Sequence, residues 1–572
     1  MCNCLVHGGP DDGGIFSQPT GNLVLGNRRL ALQDLSDAGH QPMHYANRFT
    51  ITYNGELYNF PELKKELIGL GHVFHNHTDT EVILAAFSQW HTQCFRRFKG
   101  MFAFALWDDL EKELYLVRDT SGMKPLYYSL MKEGLIFASE IRALRSVGLF
   151  PQQNRNWPVY LLAFGHIPEP VTTLSNVTPL QKGFFLKYSY RTHKSSLQSF
   201  AHYSFSDHSL SRHNASSKLS GLMKQAVERH LISDASIGVF LSGGLDSSII
   251  ATVASKINKS RLNTLSLYFN EERYSEKRYQ DLVINRIQCN SYQHLLTETE
   301  FHECIPEFVS AMDMPGCDGI NTWFISRYAR QSGLKAVLSG IGGDELFGGY
   351  PSFKRMKLAS YLQKVPGMGL NAGLKSSVKQ INRMSYLKLG GIKGLYLFLR
   401  GQFTPYGIAR QLGATEKEIW NILSDLPVYN PLFNLEHKNT ASWMEFHLYM
   451  QNQLLRDADV MGMAQSIEIR VPFLDDDVIR FAMSLNTGTK YSGSHNKQML
   501  VDSFKDDLDP EIYSRRKMGF SFPFAQWLGS SQYVKDTLSA SSGETKANFE
   551  KFKAGKLHWS KLLSVLLLEL KK

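Results

Sequence analysis

Residues 238–255 read GVFLSGGLDSSIIATVAS, and this stretch decides the fold of the second half of the chain. A continuous apolar run enters it, two glycines follow, and helical spacing comes next, which predicts a buried strand, a loop and a helix. The loop lets the backbone approach an anion, and the free N–H groups at the start of the helix favour phosphate. The pattern is not the G-x-x-x-x-G-K-S/T loop of kinases and GTPases. It predicts a phosphate site made by Ser242, Gly243, Gly244, Asp246, Ser247 and Ser248.

Size and composition limit the class of protein. The chain has 572 residues, too many for one hydrophobic core, so we expect two or three domains. Its 43% hydrophobic and 20% charged residues are typical of enzymes in solution. No apolar run approaches the roughly 20 residues that span a bilayer, and the first residues lack a signal-peptide pattern. The six cysteines show neither metal-ligand nor disulfide spacing, so we expect a cytoplasmic protein.

The first 190 residues favour antiparallel β-structure. Short aromatic-rich runs such as GMFAFALWD (100–108) and ELYLVRD (113–119) predict strands. The alternating run RFTITYNGELYN (48–59) contains Asn54-Gly55, which predicts a turn at that point. The stretch NFPELKKELIGLG (59–71) has helical spacing and stops at glycine. We predict an antiparallel sheet sandwich with helices on its faces.

After this half the pattern changes. Residues 191–220 are rich in Ser and His, which predicts a linker. The apolar runs ASIGVFLSGG (235–244) and LKAVLSGIGG (334–343) then end in glycine turns, and helical patterns follow them. Buried parallel strands that alternate with helices have this pattern. The prediction is therefore an α+β domain over 1–190 and an α/β domain with a parallel sheet over 221–572.

The net charge of +10 is concentrated in one segment. Residues 346–415 contain no acidic residue and eleven basic ones. Two interpretations stay open: a solvated helical face, or a peripheral surface for an anionic partner such as a membrane leaflet or an acidic polymer. No aromatic or glycine-rich nucleic-acid motif accompanies the charge, so we expect no nucleic-acid partner. The basic residues are Lys354, Arg355, Lys357, Lys364, Lys375, Lys379, Arg383, Lys388, Lys393, Arg400 and Arg410.

Several strings in order carry a resemblance to a known family. SGGLDSS resembles the pyrophosphate loop of ATP pyrophosphatases, and the whole chain is similar to the glutamine-hydrolysing asparagine synthetases within them. The strings are RRLALQDLSDAGHQPM, YNGELYN, TDTEVI, GMFAFALWD, GMKPLYY, FASEIRAL, SGIGGDELFGGY, IEIRVPFLD and RRKMGF. The resemblance implies a class II glutaminase domain of the N-terminal-nucleophile type, followed by an adenine-nucleotide-hydrolase-like synthetase domain that uses ATP and Mg²⁺.

The resemblance also implies roles in the synthetase domain. Asp246 and Asp344 match the aspartates that hold Mg²⁺ on the pyrophosphate, as two hard oxygen ligands could. Lys517 matches a lysine near the α-phosphate that offsets developing charge. An exposed basic turn is the alternative for Lys517, although the apolar neighbours in KMGF favour an inward lysine. The positions that match the nucleotide pocket are Phe240, Leu267, Ser339 and Gly340.

One residue departs from the family pattern. Ile341 stands where family members carry a glutamate that assists attack on the aspartyl adenylate, and an isoleucine cannot accept a proton. ATP binding is unaffected by this change, but the identity of the acceptor carboxylate is not fixed.

In the first domain the resemblance implies a glutamine pocket. Arg29 would bind the α-carboxylate, Asn54, Gly55 and Glu56 would line the amide, and Asp79 would bind the α-ammonium group. The structural alternatives are an ordinary hairpin turn for the Asn-Gly pair and a helix cap for Asp79.

Cys2 does not match the nucleophile. Family members begin Met-Cys-Gly, followed by an apolar strand and a helix before H-R-G-P-D. Here HGGPDD starts at His7, so we expect the first strand to be missing and Cys2 to be a bystander. Two explanations stay open: a start site upstream, or a lost glutaminase.

These residues lead to one main function hypothesis and two alternatives. The main one is a ligase that activates aspartate as acyl-AMP and forms asparagine with ammonia from glutamine or free ammonium. The first alternative is amidation of another carboxylate, such as a uronic acid of a surface polysaccharide or a peptide being cyclised. The second is a catalytically silent scaffold homologue. The sequence leaves the oligomeric state open, a homodimer included.

Overall fold

The computed structural model describes residues 1–571 except 20, 133, 151, 259–260, 365–382, 429–434, 520 and 542. Within them, an antiparallel sheet lies in the first half and a parallel sheet in the second, which confirms the predicted fold classes. The strands are β1 (Asp12–Ser17), β2 (Val24–Arg29), β3 (Met43–Tyr45), β4 (Phe49–Leu57), β5 (Gly100–Asp108), β6 (Glu113–Arg118), β7 (Tyr127–Met131), β8 (Gly134–Ala138), β9 (Thr178–Pro179), β10 (Phe184–Ser189), β11 (Lys194–Ser199), β12 (Ile237–Phe240), β13 (Leu262–Tyr268), β14 (Cys289–Leu295), β15 (Ala336–Leu338) and β16 (Glu468–Arg470).

The α-helices of the first half are Phe60–Gly69, Asp79–Trp90, Ile141–Arg145 and Trp157–Phe164. Those of the second half are Arg212–His230, Leu245–Ile257, Lys277–Arg286, Glu298–Ala311, Ile320–Gln331, Gly343–Phe347, Pro351–Leu362, Gly391–Arg400, Pro405–Leu412, Glu416–Asp425, His437–Met444, Arg456–Met463, Asp476–Ser484, Thr487–Tyr491, Gln498–Phe504, Pro510–Ser514, Phe524–Ser530, Gln532–Ala540, Glu544–Lys553 and Trp559–Lys571. No helix among the described residues has the length and apolar character needed to cross a membrane.

The antiparallel sheet has the strand order β11-β10-β6-β5-β4-β3, with β1 and β2 as a separate hairpin. The predicted turn at Asn54-Gly55 is wrong, because β4 runs through it and Gly55 pairs with Phe102 of β5. The reason is tertiary. A Cβ atom at Gly55 would lie 2.0 Å from the Met101 carbonyl oxygen, so this glycine permits close approach of the strands and makes no reversal.

The boundary between the halves differs from a simple linker. Of the predicted linker 191–220, the exposed Ser-rich strand β11 pairs with β10 as a sheet edge, and helix Arg212–His230 begins the next domain. Only 200–211 lies between them. Helix Trp157–Phe164, within the predicted first domain, packs into the same apolar core as helix Trp559–Lys571. The second domain therefore takes part of its core from before residue 190.

The parallel sheet has the order β14-β13-β12-β15-β16. The strands β12 and β15 are short and largely buried, as the continuous apolar runs predicted. β12 and β15 are neighbours, and both carboxyl ends lead into glycine-containing loops and helices. Ligands of such sheets bind at the carboxyl edge of the strands.

Candidate active site

The phosphate loop has the predicted strand–loop–helix form. β12 ends at Phe240, and helix Leu245–Ile257 begins after Gly244. Gly243 has φ +79°, and a Cβ there would lie 2.9 Å from the backbone nitrogen of Gln280. Glycine is therefore needed at the bend.

The serine hydroxyls of this loop divide into two groups. Those of Ser242 and Ser247 lie 3.0 Å apart, and the Ser242 hydroxyl also accepts the N–H of Gly244. They stabilise the loop. The Ser248 hydroxyl is buried and finds no hydrogen-bond partner among the described residues.

The two predicted aspartates meet at the carboxyl edge of the sheet. Asp246 lies in the first turn of the helix after β12, and Asp344 lies in the first turn of helix Gly343–Phe347 after β15. A Cβ at Gly343 would lie 2.6 Å from the Asp246 carboxylate, so the two helix starts are as close as side chains permit. Parallel pairing of β12 with β15 creates this proximity across about a hundred residues of sequence.

Two lysines neutralise the aspartates. The Lys497 ammonium lies 2.5 Å from Asp246 and 2.6 Å from Asp344. Lys517 lies 2.5 Å from the other oxygen of Asp344 and donates to the Gly349 carbonyl at 3.2 Å. The inward position of Lys517 is thus due to these polar contacts, since the neighbouring Met518 is 37% exposed.

The electrostatics follow from burial and from these contacts. Burial would raise the pKa of Asp344, but the ammonium groups of Lys497 and Lys517 lower it to about 2. Burial raises the pKa of Asp246, and Lys497 opposes that shift. Burial would lower the pKa of Lys497, but the two carboxylates raise it above its ordinary value. The site thus holds two carboxylates and two ammonium groups in a cluster that is partly exposed, most of all at Lys517.

The donor set fits a hard divalent cation bound together with phosphate. Oδ1 of Asp246 is buried and has no hydrogen-bond partner among the described residues. The described residues contain no group of three or more His, Cys, Asp or Glu side chains that could hold a metal. A Mg²⁺ ion held by Asp246 and Asp344 would therefore need oxygens from phosphate and water, which is how Mg²⁺ commonly binds with nucleotides.

The predicted nucleotide-pocket residues surround the same edge. Phe240 ends β12, Leu267 lies buried in β13, and Ser339 and Gly340 follow β15. A Cβ at Gly340 would lie 3.1 Å from the backbone nitrogen of Ser247, so the two loops touch. The structure brings all of these residues to one place.

Ile341 lies in the loop after β15 and packs, partly buried, against an apolar core of the second domain. The nearby Glu345 is buried, accepts hydrogen bonds from Gly342 N at 3.1 Å and Tyr350 OH at 2.6 Å, and has its pKa raised to about 7 by burial and by the charge of Asp344. Both of its oxygens are therefore engaged.

Arg515 ties the segment that carries Lys517 to the phosphate loop. Its guanidinium donates to the Gly243 carbonyl at 3.0 Å and to Glu276 at 2.5 Å, and it lies 3.9 Å from the centre of the Tyr279 ring. Its Nη1 is buried without a partner among the described residues. The adjacent Arg516 is exposed.

The residues predicted to bind glutamine surround one cavity of about 70 Å³ in the first domain. Helix Arg456–Met463 and strand β16 of the second domain close it, through Met463 and Glu468. The predicted residues in its lining are Arg29, Asn54, Gly55, Glu56 and Asp79.

Asp79 opens helix Asp79–Trp90 but does not cap it, because the Thr78 hydroxyl accepts the N–H of Glu81. Its carboxylate accepts hydrogen bonds from Tyr53 OH and Leu57 N, both at 2.8 Å. Burial raises the pKa of Asp79 to about 6 against these hydrogen bonds.

Arg470 connects the cavity with the carboxyl edge of the parallel sheet, where the predicted nucleotide-pocket residues lie. Its fully buried guanidinium lies 3.2 Å from Glu56 and 2.9 Å from Glu468. Its carbonyl accepts the N–H of Ser339 at 2.8 Å. One residue therefore touches both candidate sites.

Cys2 lies beside the cavity but does not line it. Residues Cys2–Leu5 form a 3₁₀ helix, and the Cys2 carbonyl accepts from Arg28 Nε at 3.4 Å. The thiol sulfur is 2.5 Å from where a Cβ of Gly26 would be, so the thiol packs against strand β2.

Comparison with protein families separates the same two halves. The family model described as asparagine synthase matches residues 218–562, and the glutamine amidotransferase domain matches residues 1–201. The chain belongs to the asparagine synthase family.

Named relatives extend over most of this asparagine synthase family member. A provisionally named asparagine synthetase (glutamine-hydrolysing) of Mycobacterium tuberculosis is 30% identical over 571 residues, covering 93% of this chain and 84% of the relative. Asparagine synthetase (glutamine-hydrolysing) 1 of Bacillus subtilis is 28% identical and covers 95% and 86%. Amidase chry2 of Gibberella zeae is 24% identical and covers 96% and 87%. The family thus includes relatives with a different name.

Sequence reasoning missed three residues of these sites: Lys497, Arg515 and Arg470. Arg515 and Arg470 lie in RRKMGF and IEIRVPFLD, which carry the resemblance, but those strings alone assign them no role, and the partners of all three residues are distant in the sequence. Lys497 has φ +53°, an uncommon backbone conformation that a sequence does not reveal.

Proposed function

We propose that the chain is an ATP-dependent amide-forming ligase of the asparagine synthetase type, which activates a carboxylate as acyl-AMP and then transfers nitrogen to it. The observation that carries the proposal is the meeting of Asp246, Asp344, Lys497 and Lys517 beside a phosphate-type loop. Family membership and the names of the relatives support it.

The first step joins a carboxylate oxygen of the acceptor to the α-phosphorus of ATP. The bond from that phosphorus to the β-bridging oxygen breaks, and pyrophosphate leaves. The free N–H groups at the start of helix Leu245–Ile257 would bind the phosphates. Lys497 and Lys517 would offset the charge that develops on the leaving group.

Mg²⁺ is the cation that Asp246 and Asp344 would hold, and when bound it neutralises phosphate charge and orients the phosphate chain. Glycines at 243, 340 and 343 keep the two loops close enough for both carboxylates to face one point.

In the second step ammonia attacks the carbonyl carbon of the acyl-AMP, AMP leaves, and the nitrogen loses a proton. Residue 341 cannot take that proton because it is isoleucine. Glu345 has a pKa near 7, but its oxygens bond to Tyr350 and Gly342, so it would have to release one of them.

The acceptor is aspartate or another carboxylate. The names of the relatives from Mycobacterium tuberculosis and Bacillus subtilis support aspartate. Ile341 favours the second candidate, a uronic acid or a peptide carboxylate. The attacking amine would then meet surroundings different from those it has with aspartate. A silent scaffold is the weakest candidate, because the carboxylate pair and both lysines are present.

The nitrogen source follows from the cavity in the first domain. Arg29 and Asp79 offer charges of opposite sign to an amino-acid zwitterion, so we infer that glutamine binds there. Cys2 does not line the cavity, and a nucleophile must come within about 3–3.5 Å of the amide carbon. We infer that this chain uses free ammonium as its nitrogen source.

The test is exchange of labelled pyrophosphate into ATP in the presence of aspartate, a uronic acid and a peptide with a free carboxylate. We expect one of them to support exchange. Asp246→Asn should lower the rate at least about a hundredfold, since one of the two carboxylates that would hold Mg²⁺ on the phosphates is lost. The matched control Asp536→Asn, at an exposed carboxylate, should exchange normally.

Two outcomes would contradict the proposal. Exchange at the original rate in Asp246→Asn would remove this site from the chemistry. Failure of every carboxylate in the unaltered chain, with ATP binding intact, would support the silent homologue.

A further inference from the structure

The acid-free segment 346–415 separates, in the structure, into basic residues with internal roles and basic residues that face outward. Arg400 pairs with Glu445 at 2.7 Å, Arg410 pairs with Glu544 at 2.7 Å, and Lys393 donates to the carbonyls of Ser424 and Leu426. These groups stabilise the domain. Lys375 and Lys379 lie outside the described residues.

The outward group lies on helix Pro351–Leu362. Lys354, Arg355 and Lys357 are exposed, and no ion pair or hydrogen bond of their side chains is seen within the described residues. Lys364 is exposed just after the helix. The helix itself contains no acidic residue, so no charge on it offsets these cations.

Two large apolar side chains are exposed among these cations. Leu358 is 61% exposed and Tyr361 is 55% exposed. Lys354, Leu358 and Tyr361 are spaced i, i+4, i+7 and therefore form one line along the outer face. Ser352, Phe353, Met356 and Ala359 hold the opposite face in the core. The helix therefore has an apolar line flanked by positive charge.

The neighbouring helix His437–Met444 continues the positive surface. Lys438 is exposed there, and the ring of His437 lies 5.9 Å from that of Tyr361. The acidic residue beside it is Glu436, which already accepts a hydrogen bond from Thr487. Within the described residues, five exposed cations therefore belong to these two helices and the position just after the first, namely Lys354, Arg355, Lys357, Lys364 and Lys438.

We propose that the outer face of helix Pro351–Leu362 binds the surface of an anionic phospholipid bilayer. Basic side chains attract the phosphate layer, while exposed leucine and tyrosine enter the interface, as in peripheral amphipathic helices. A soluble polyanion would need the cations but would gain nothing from Leu358 and Tyr361. The apolar line therefore favours the bilayer.

This surface adjoins the proposed ligase site in the chain. Tyr350 comes one residue before the helix, and its ring lies 4.6 Å from the Lys517 ammonium. Binding would therefore hold the second domain at the membrane through helix Pro351–Leu362, which is the next helix after the one that carries Asp344. The inference does not depend on which carboxylate is the acceptor.

The test is co-sedimentation of the full chain with vesicles of 30% phosphatidylglycerol and 70% phosphatidylcholine at about 50 mM salt. Each cation near such a surface strengthens binding about fivefold, so Lys354→Gln, Arg355→Gln and Lys357→Gln together should weaken it about a hundredfold. The matched control removes the same charge at three other exposed lysines, Lys65→Gln, Lys224→Gln and Lys546→Gln, and should bind nearly as the unaltered chain.

A second variant separates the bilayer from a soluble polyanion. Leu358→Ser with Tyr361→Ser keeps every charge and should weaken vesicle binding at least about tenfold, with no change in pyrophosphate exchange. Vesicle binding that survives the triple charge variant would overturn the proposal. Equal binding of the Leu358→Ser, Tyr361→Ser variant and the unaltered chain to vesicles and to polyphosphate would assign the surface to a soluble polyanion instead.

Discussion

Lys497 offers the sharpest test of the electrostatics at the phosphate loop. Its side chain is 7% exposed and its nitrogen contacts one oxygen each of Asp246 and Asp344. Because both oxygens lie within 2.6 Å of the same atom, they are at most about 5 Å apart. Lys497→Met keeps the length and removes the charge, so the two carboxylates would face each other directly.

The size of the effect follows from that separation. Two like charges about 5 Å apart repel by about 3 kcal/mol at an effective dielectric constant of about 20. Loss of one partner of a buried ion pair typically costs about 3–5 kcal/mol. Lys517 still neutralises Asp344, so we expect the free energy of unfolding to fall by about 3 kcal/mol near pH 7.

The assay is urea unfolding of the full chain, followed with a probe in the second domain and repeated with and without Mg²⁺. Lys490→Met is the matched control, because Lys490 is buried too, its one hydrogen bond within the described residues goes to the Ala482 carbonyl, and burial lowers its pKa to about 7. Its loss should change the free energy of unfolding by no more than about 1 kcal/mol. Mg²⁺ should restore more stability to Lys497→Met than to the unaltered chain.

The pH dependence gives an independent check. Burial already raises the pKa of Asp246, and removal of Lys497 should raise it further. A carboxyl whose pKa is raised in the folded state favours folding when protonated. The deficit of Lys497→Met should therefore shrink as pH falls through the folded pKa. If Lys497→Met and the unaltered chain are equally stable at pH 8, and their difference does not change with pH, then Lys497 does not offset repulsion between Asp246 and Asp344.

Three further predictions concern the other groups. Asp79 has a pKa of about 6, so below pH 6 it becomes neutral and the dissociation constant for glutamine should rise about tenfold per pH unit, while Asp79→Asn should show weak binding without that slope in calorimetry. Arg515→Gln loses the contact with Gly243 and should raise the KM for ATP in the exchange assay about tenfold, whereas an unchanged KM, or an equal rise in Arg516→Gln, would exclude a specific role. Cys2→Ala in the printed chain should leave the ammonium-dependent rate unchanged, and glutamate release from glutamine that disappears in this variant would make Cys2 the nucleophile.

Long apolar runs made the fold predictable. The strands β12 and β15 and the loops after them follow from the sequence, because buried parallel strands need continuous apolar residues and a turn at their ends. Parallel pairing then explains why Asp246 and Asp344 meet. The turn signal at Asn54-Gly55 failed, because pairing with β5 outweighs local preference and glycine serves close approach there.

The rest of the site depends on contacts distant in the sequence. Lys497 is 251 residues from Asp246, and nothing local distinguishes it from other lysines. In RRKMGF the sequence favoured an inward Lys517 but did not show that Arg515 also turns inward. The structure shows that Arg515 and Lys517 do, through Glu276 and Asp344, while Arg516 stays exposed.

In the proposed reaction a carboxylate oxygen of the acceptor becomes bonded to the α-phosphorus of ATP. The most direct measurement uses the acceptor that supports pyrophosphate exchange, labelled with ¹⁸O in its carboxylate, with ammonium, Mg²⁺ and ATP. The mass of the AMP formed is then determined. We expect one ¹⁸O atom in the phosphate of AMP, because that oxygen stays on phosphorus when ammonia displaces AMP. AMP without label, or label in inorganic phosphate alongside ADP, would contradict it.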